Sequence, residues 1–120
     1  MPGRRFMNEF LIALEDRPGT LAECCEAIGE AGINIVAGAG IASSSAAIAL
    51  VTDDSTGTAA ILDALGISYS TRDLQTVVLQ DLPGALGDFT RGLAENGVNL
   101  TSLYIMKTDG QGVHIGFSTN

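Results

Sequence analysis

Two short segments carry the residues best suited to chemistry. Each reads Asp-x-Pro-Gly: Asp16-Arg17-Pro18-Gly19 and Asp81-Leu82-Pro83-Gly84. A proline at the first helical position has its φ preset and gives up an N–H that the helix does not use. The Asp two residues earlier can accept hydrogen bonds from the free amides of the first turn. Such a helix start keeps unpaired N–H groups, and these suit a carboxylate. Other chemistry finds little to build on. His114 is the only histidine, Cys24 and Cys25 are adjacent, and no Cys-x-x-Cys occurs. A closed zinc site is not expected, nor is a disulfide framework, because vicinal disulfides are strained. No Ser or Cys motif stands beside a base and an orienting group, as nucleophilic catalysis requires. No catalytic residue, cofactor or metal is therefore expected. Cys24 and Cys25 read as small helix residues and His114 as an ordinary strand histidine. Asp53-Asp54 read as the acidic start of a helix, and Ser43-Ser44-Ser45 as a turn.

The two segments belong to an internal repeat. Glu15–Ile35 and Gln80–Leu100 align without a gap at an offset of 65, with seven identities in 21 positions. The identities are Asp16/Asp81, Pro18/Pro83, Gly19/Gly84, Leu21/Leu86, Glu30/Glu95, Gly32/Gly97 and Asn34/Asn99. Most are residues that fix backbone geometry rather than fill space.

The elements that position them follow from pattern. Phe10–Leu14 and Thr76–Leu79 are short apolar runs that read as strands. Leu21, Cys24, Cys25, Ile28 and Ala31 recur at helical spacing, with Glu23, Glu26 and Glu30 on the other face. Leu86, Phe89 and Leu93 form the matching stripe. Gly32 and Gly97 suit the left-handed position that ends a helix. A hairpin follows in both copies: Ile33–Ile41 with Ala46–Val51, and Val98–Met106 with Val113–Phe117 around Asp109-Gly110-Gln111-Gly112. The first copy continues into a helix over about Ser55–Leu65, closed by Gly66, and a fourth strand near Ile67–Thr71. The order βαββαβ is the ferredoxin-like split βαβ arrangement. At the offset of 65, Asn120 aligns with Ser55, so the second copy lacks its last helix and strand. Further chain or a second copy would have to supply them.

Size and charge bound the partners. The 120 residues suit one or two small units. The chain is 46% hydrophobic and 17% charged, with six Lys and Arg against fourteen Asp and Glu, a net charge of −8. That balance offers too few cations to neutralise nucleic-acid phosphates or to hold an anionic membrane. With 5% aromatic residues, the strands also lack the base-stacking platform of an RNA-binding sheet. No apolar run reaches the roughly 20 residues of a membrane span. The start, Met1–Phe10, carries Arg4 and Arg5 but no apolar stretch after them, so no secretory signal is read and a cytoplasmic location is expected.

A strand ending in Asp-x-Pro-Gly-x-Leu, an amphipathic helix, then Gly-Ile/Val-Asn-Ile/Leu resembles the ACT domain, a small regulatory amino-acid-binding module. The motif occurs twice, as DRPGTL…GINI and DLPGAL…GVNL. The closest likeness is to small stand-alone proteins made of two such units. The resemblance implies an α+β fold of ferredoxin-like units in tandem, an antiparallel sheet with helices on one face and a truncated second unit. The first unit would span residues 6–72 and the second 73–120. It further implies that an amino-acid effector sits at the junction of units. Asp16, Pro18, Gly19, Thr20 and Leu21 would line one site with Asn99. Asp81, Pro83, Gly84, Ala85 and Leu86 would line the other with Asn34. There the helix-start amides would take the ligand carboxylate, the Asp its ammonium, and the Asn amide would donate and accept. Some serine-sensing members place a His two residues before the loop Asp, where this chain has Leu14 and Leu79, which speaks against a serine-type effector; an apolar or small amino acid is expected rather than a charged one.

The leading reading is thus a non-catalytic regulatory protein that binds a small amino acid. The alternative is an interaction or regulatory subunit of an enzyme of amino acid metabolism, with a vestigial site. A homodimer is expected, because an incomplete second unit leaves apolar surface and sheet edge uncovered.

Overall fold

A computed structural model describes residues 6–42 and 46–120. The expected turn at Ser43–Ser45 lies outside the described residues, as do Arg4 and Arg5. The elements run β1 (Phe6–Ala13), α1 (Thr20–Glu30), β2 (Ile35–Ala42), β3 (Ala46–Thr52), α2 (Ser55–Leu65), β4 (Tyr69–Leu79), α3 (Ala85–Glu95), β5 (Leu100–Asp109) and β6 (Gly112–Thr119). The fold is α+β, a tandem of ferredoxin-like units. Residues 8–72 form one compact unit, and residues 73–120 the body of the other.

In the first unit the strand order is β2-β3-β1-β4. Antiparallel pairing sets Phe10 opposite Leu50 and Ile12 opposite Ile48. Cross-strand partners share a face, and this face meets Cys24 and Ile28 of α1 and Leu62 of α2 in one buried cluster. Both helices therefore lie on the same side of the sheet. Phe10, Cys24, Ile28 and Leu62 are at most 1% exposed. Replacing such a buried Leu or Ile by Ala typically costs about 2–5 kcal/mol. Buried polar groups at the edge of this core are paired. The Thr52 and Thr58 hydroxyls lie 2.7 Å apart, and Thr58 Oγ1 also donates to the Asp54 carbonyl at 2.8 Å, which fastens α2 to β3.

The second unit has the order β4-β6-β5, with α3 packed through Phe89 edge-on against Phe117 at 5.2 Å. Phe117 and Ile115 are buried, whereas no residue of α3 is fully buried. Ser118, buried on β6, shares hydroxyl contacts with Thr101 and Ser102.

All three helices end in the same way. Gly32, Gly66 and Gly97 have φ of 77°, 69° and 72°. The amide after each glycine donates back to the last turn: Ile33 to Ile28, Ile67 to Leu62 and Val98 to Leu93. This is the Schellman closure, and it satisfies carbonyls that would otherwise be orphaned. The starts differ. Asp54 caps α2 by accepting from the Gly57 amide at 2.9 Å, but α1 and α3 have no side-chain cap.

Three expectations are corrected. Pro18 and Pro83 are not the first helical residues, and Asp16 and Asp81 do not cap. Gly19 and Gly84, at φ 94° and 90°, occupy the N-cap positions and turn the chain into the helix by backbone geometry alone. The fourth strand of the first unit and the first strand of the second are not separate. β4 runs unbroken from Tyr69 to Leu79, since no Gly or Pro interrupts it. Finally, the offset of 65 does not hold through the second hairpin. Phe10 pairs with Leu50 but Gln75 with Phe117, so β6 matches β3 at an offset of 67. The β5–β6 hairpin is two residues longer, and Asn120 corresponds to Asp53 rather than Ser55. The backbone confirms this: Asp53 N–H donates to Asn34 O, and Asn120 N–H to Asn99 O.

The tight β5–β6 turn depends on Gly112. Its φ is 133°, and a Cβ there would run into the Leu79 carbonyl oxygen. Gly110, two residues earlier, has open space where its Cβ would be. Gly112→Ala should destabilise the protein by about 1–3 kcal/mol through backbone strain. Gly110→Ala should change stability much less. Paired urea denaturation curves check the contrast.

Candidate functional site

The strand-to-helix loops of the two units are built alike. Arg17 N–H donates to Glu15 O at 2.9 Å, and Leu82 N–H to Gln80 O at 2.9 Å. The helix then opens with Glu23 N–H on Gly19 O and Asp88 N–H on Gly84 O, both at 2.9 Å. The first amides of α1 have no intrahelical partners, whereas in α3 the first of them is taken up within the loop. The side chains differ. Thr20 Oγ1 donates to Glu15 O at 2.9 Å and lies 3.3 Å from Arg17 O, which ties the first loop together. At the matching place Ala85 has no hydroxyl, and its amide donates to Leu82 O at 3.2 Å. Arg17 is held by Glu15 at 2.9 Å and faces Glu23 at 3.9 Å. These groups are exposed, so the pairing orients Arg17 more than it stabilises the fold.

A cavity of about 310 Å³ opens beside the first loop. Asp16, Gly19, Thr20 and Leu21 line it from the loop and α1, and Gly40, Ile41 and Ile48 from the β2–β3 hairpin. A second hollow of about 360 Å³ lies against the same loop and is bordered by Glu15, Thr20, Glu23, Gly66 and Ser68. Pro18 sits in the loop but borders neither. The hairpin wall of the first cavity escaped the sequence reading. Its residues lie some twenty positions downstream, and only the strand register brings them to the loop.

Asn34 is not part of this cavity. It stands at the other end of the 11-residue α1, about 16 Å along the helix axis. Its N–H donates to Asp53 Oδ1 at 3.0 Å, and its carbonyl accepts from the Asp53 N–H at 3.0 Å. Asp53 thus ties a corner while Asp54 caps the helix. In the second unit, Asp81, Pro83, Gly84 and Leu86 are exposed at the near end of α3, Ala85 is half-buried there, and Asn99 is exposed at the far end.

The remaining chemistry-bearing residues are occupied. Burial, with a further contribution from the neighbouring Cys25, raises the Cys24 thiol above its ordinary pKa, and burial raises Cys25. Both are poor nucleophiles. Among the described residues no group of three His, Cys, Asp or Glu side chains could hold a metal ion. No helix there is long and apolar enough to cross a membrane. His114 Nε2 lies 2.9 Å from Asp109 Oδ1, which also accepts the Gln111 N–H.

The chain belongs to the ACT domain-pair family, whose model matches residues 6–120. Among solved structures it is similar to protein BT0572 from Bacteroides thetaiotaomicron, at a TM-score of 0.85 and 19% identity over 98% of this chain and 81% of that one. It is also similar to the ligand-free regulatory subunit of aspartate kinase from Thermus thermophilus, at 0.68 and 18%, over 98% and 86%. Aspartokinase III from E. coli, in complex with lysine and aspartate, matches at 0.57 and 18%, over 95% of this chain and 28% of that one. At these identities the likeness is one of fold. A comparison with curated proteins gave no match.

The Asp109–His114 pair gives a pH-dependent signature. The hydrogen bond from His114, then that from the Gln111 amide, holds the Asp109 carboxyl below its ordinary pKa. A carboxylate depressed in the folded state contributes stability above its unfolded pKa. That contribution is lost as pH falls through the folded value. His114→Ala should raise the Asp109 pKa toward the ordinary carboxylate value and flatten the acid limb of the stability curve. Carboxyl NMR titration of both proteins checks it.

Proposed function

We propose that this chain is a non-catalytic regulatory protein that senses a free amino acid at the Asp16–Leu21 loop. One observation carries the reading: a cavity of about 310 Å³ sets Asp16 and the first residues of α1, Thr20 and Leu21, beside an apolar hairpin. Partnerless N–H groups at the end of an 11-residue helix favour an anion, here the ligand α-carboxylate. Asp16 offers a counter-charge for the ammonium. The second loop, with Asp81, Pro83, Gly84, Ala85 and Leu86, repeats the backbone and stands as a second candidate. Asn34 and Asn99 stay in the candidate set through side-chain amides that both donate and accept. Membership of the ACT domain-pair family supports the reading. The output would pass to a separate enzyme of amino acid metabolism, in the cytoplasm.

A thermal-shift screen of the twenty amino acids tests this. A ligand at 100 times its Kd adds about 2.7 kcal/mol, a rise of several degrees for a chain of this size. Asp16→Ala should then weaken binding of the active amino acid by about 1–3 kcal/mol in calorimetry. If none of the twenty shifts the melt, the sensing reading falls, and the interaction-subunit reading takes its place.

We also infer a homodimer. The apolar stripe of α3 is only half covered: Leu86 is 38% exposed, and Leu82, in the loop before the helix, is 61% exposed. Apolar surface of this kind marks association sites. Light scattering at micromolar concentration should give twice the chain mass; a monomer would overturn the inference.

A further inference from the structure

We propose that the amino-acid site exists in the first unit alone, and that it selects an aliphatic side chain. This rests on the sensing reading above and goes beyond it. The observation is the floor of the cavity. Gly40 pairs with Ile48, and Ala42 with Ala46, on β2 and β3. Ile48 shares its face with Ile12 and packs against the core beneath α1. Gly40, Ala42, Ala46 and Ile48 therefore lie on the helix-covered side, and three of the four are Gly or Ala. The space beside the loop exists because those positions carry so little side chain.

The corresponding positions in the second unit follow from its register. Ile105 pairs with Ile115, and Thr108 with Val113. Val77 pairs with Ile115 as Ile12 does with Ile48. Gly40 thus corresponds to Ile105, Ala42 to Thr108, Ala46 to Val113 and Ile48 to Ile115. Three small residues become three β-branched ones. The largest change puts an isoleucine side chain, 61% exposed, where the first unit has none. The loops share a backbone, but the second stands beside bulkier side chains at the positions that leave the first unit's recess open. The internal repeat preserves the turn and does not preserve the pocket.

The lining also sets the ligand class. Beyond the polar loop, the wall is Leu14, Leu21 and Ile48, while Ile41, paired with Ala47 and 72% exposed, turns its side chain to the other face. No charged side chain lines the hairpin side, so a ligand carboxylate or ammonium placed there would lose water without gaining a partner. At about 310 Å³ the cavity is at the lower end of the roughly 300–1,000 Å³ usual for ligand pockets. A free amino acid with a branched aliphatic side chain fits its size and polarity. The loop side carries Glu15 and Asp16 against a single Arg17, a balance that welcomes the ligand ammonium.

Calorimetry of the full chain with isoleucine, leucine, valine, serine, lysine and aspartate tests both parts. One aliphatic amino acid should bind at one per chain, with serine, lysine and aspartate weaker by about tenfold or more. Gly40→Val should weaken it at least about tenfold by refilling the recess. Because a Cβ at residue 40 meets only the tip of the Ile48 side chain, the fold should accommodate it, and circular dichroism checks that. Leu21→Asn, at a position 44% exposed, serves as a second variant and should weaken the same ligand. Two ligands per chain, tight binding of lysine or aspartate, or unchanged affinity in both variants would overturn this inference while leaving the sensing reading intact. Silence from every amino acid would instead remove that reading.

Discussion

The structure turns on a backbone constraint at two glycines. Gly19 and Gly84 sit at φ 94° and 90° immediately before α1 and α3, a conformation that residues with a Cβ rarely adopt. Each allows the chain to leave a strand, pass through Pro, and enter a helix within a few residues. Glycine supplies the turn, so no side chain is needed as a cap, and the Asp at the start of each motif is left free at the surface. A Ser or Asp N-cap would have used its oxygen on the first amides, as Asp54 does with Gly57 in α2. The uncapped start is a weaker helix end and a better anion receptor. Cost to the fold and opportunity for binding come from the same atom's absence.

The two units show how a repeated scaffold can diverge without losing its geometry. Glycine at the N-cap, the Schellman glycine and the strand-to-helix loop recur, down to matching 2.9 Å bonds from Arg17 and Leu82. What differs is the hairpin. Two added residues shift the pairing of β6 from an offset of 65 to 67, yet the inward residues still meet in phase. An insertion of one residue would have sent Ile115 and Phe117 to the opposite face. An even number keeps them in the core. The positions facing the loop were then free to change size.

Much of this was legible in the sequence. α2 is bounded at Ser55 and Leu65 as expected, since Asp54 and Gly66 are unambiguous start and stop residues. The helix starts at Pro-Gly were misread by two residues, Thr20 and Ala85 standing where Pro18 and Pro83 were expected. Proline is at home at the first helical position, and only the three-dimensional path shows that glycine takes the turn instead. The union of two expected strands into β4 was hidden, because residues 72–75, with Arg72 and Asp73 side by side, read as a connection between them. Strand character there is imposed by neighbouring strands rather than by propensity. For the candidate cavity, the loop residues that line it stood out through the repeat. Gly40, Ile41 and Ile48 did not, since their relation to the loop is a matter of register and leaves no local mark.

The charge arrangement around the first loop decides which groups could recognise a zwitterion. Among the described residues Arg17 is the cation of this loop, and it is engaged by Glu15 and faces Glu23. Its guanidinium is a poor candidate for capturing a carboxylate, because doing so would mean leaving an existing partner. In the proposed site the anion receptor would then be the backbone amides at the start of α1, whose partial positive charge costs no side-chain entropy to present. The acidic groups are left for the ammonium. This division also explains why a net charge of −8 need not repel an amino acid. A zwitterion has no net charge for the distant field to act on, and at physiological salt the field fades within about 8 Å. In the proposed site recognition would depend on the orientation of two opposite local charges, and the turn at Gly19 would fix it before any ligand arrives.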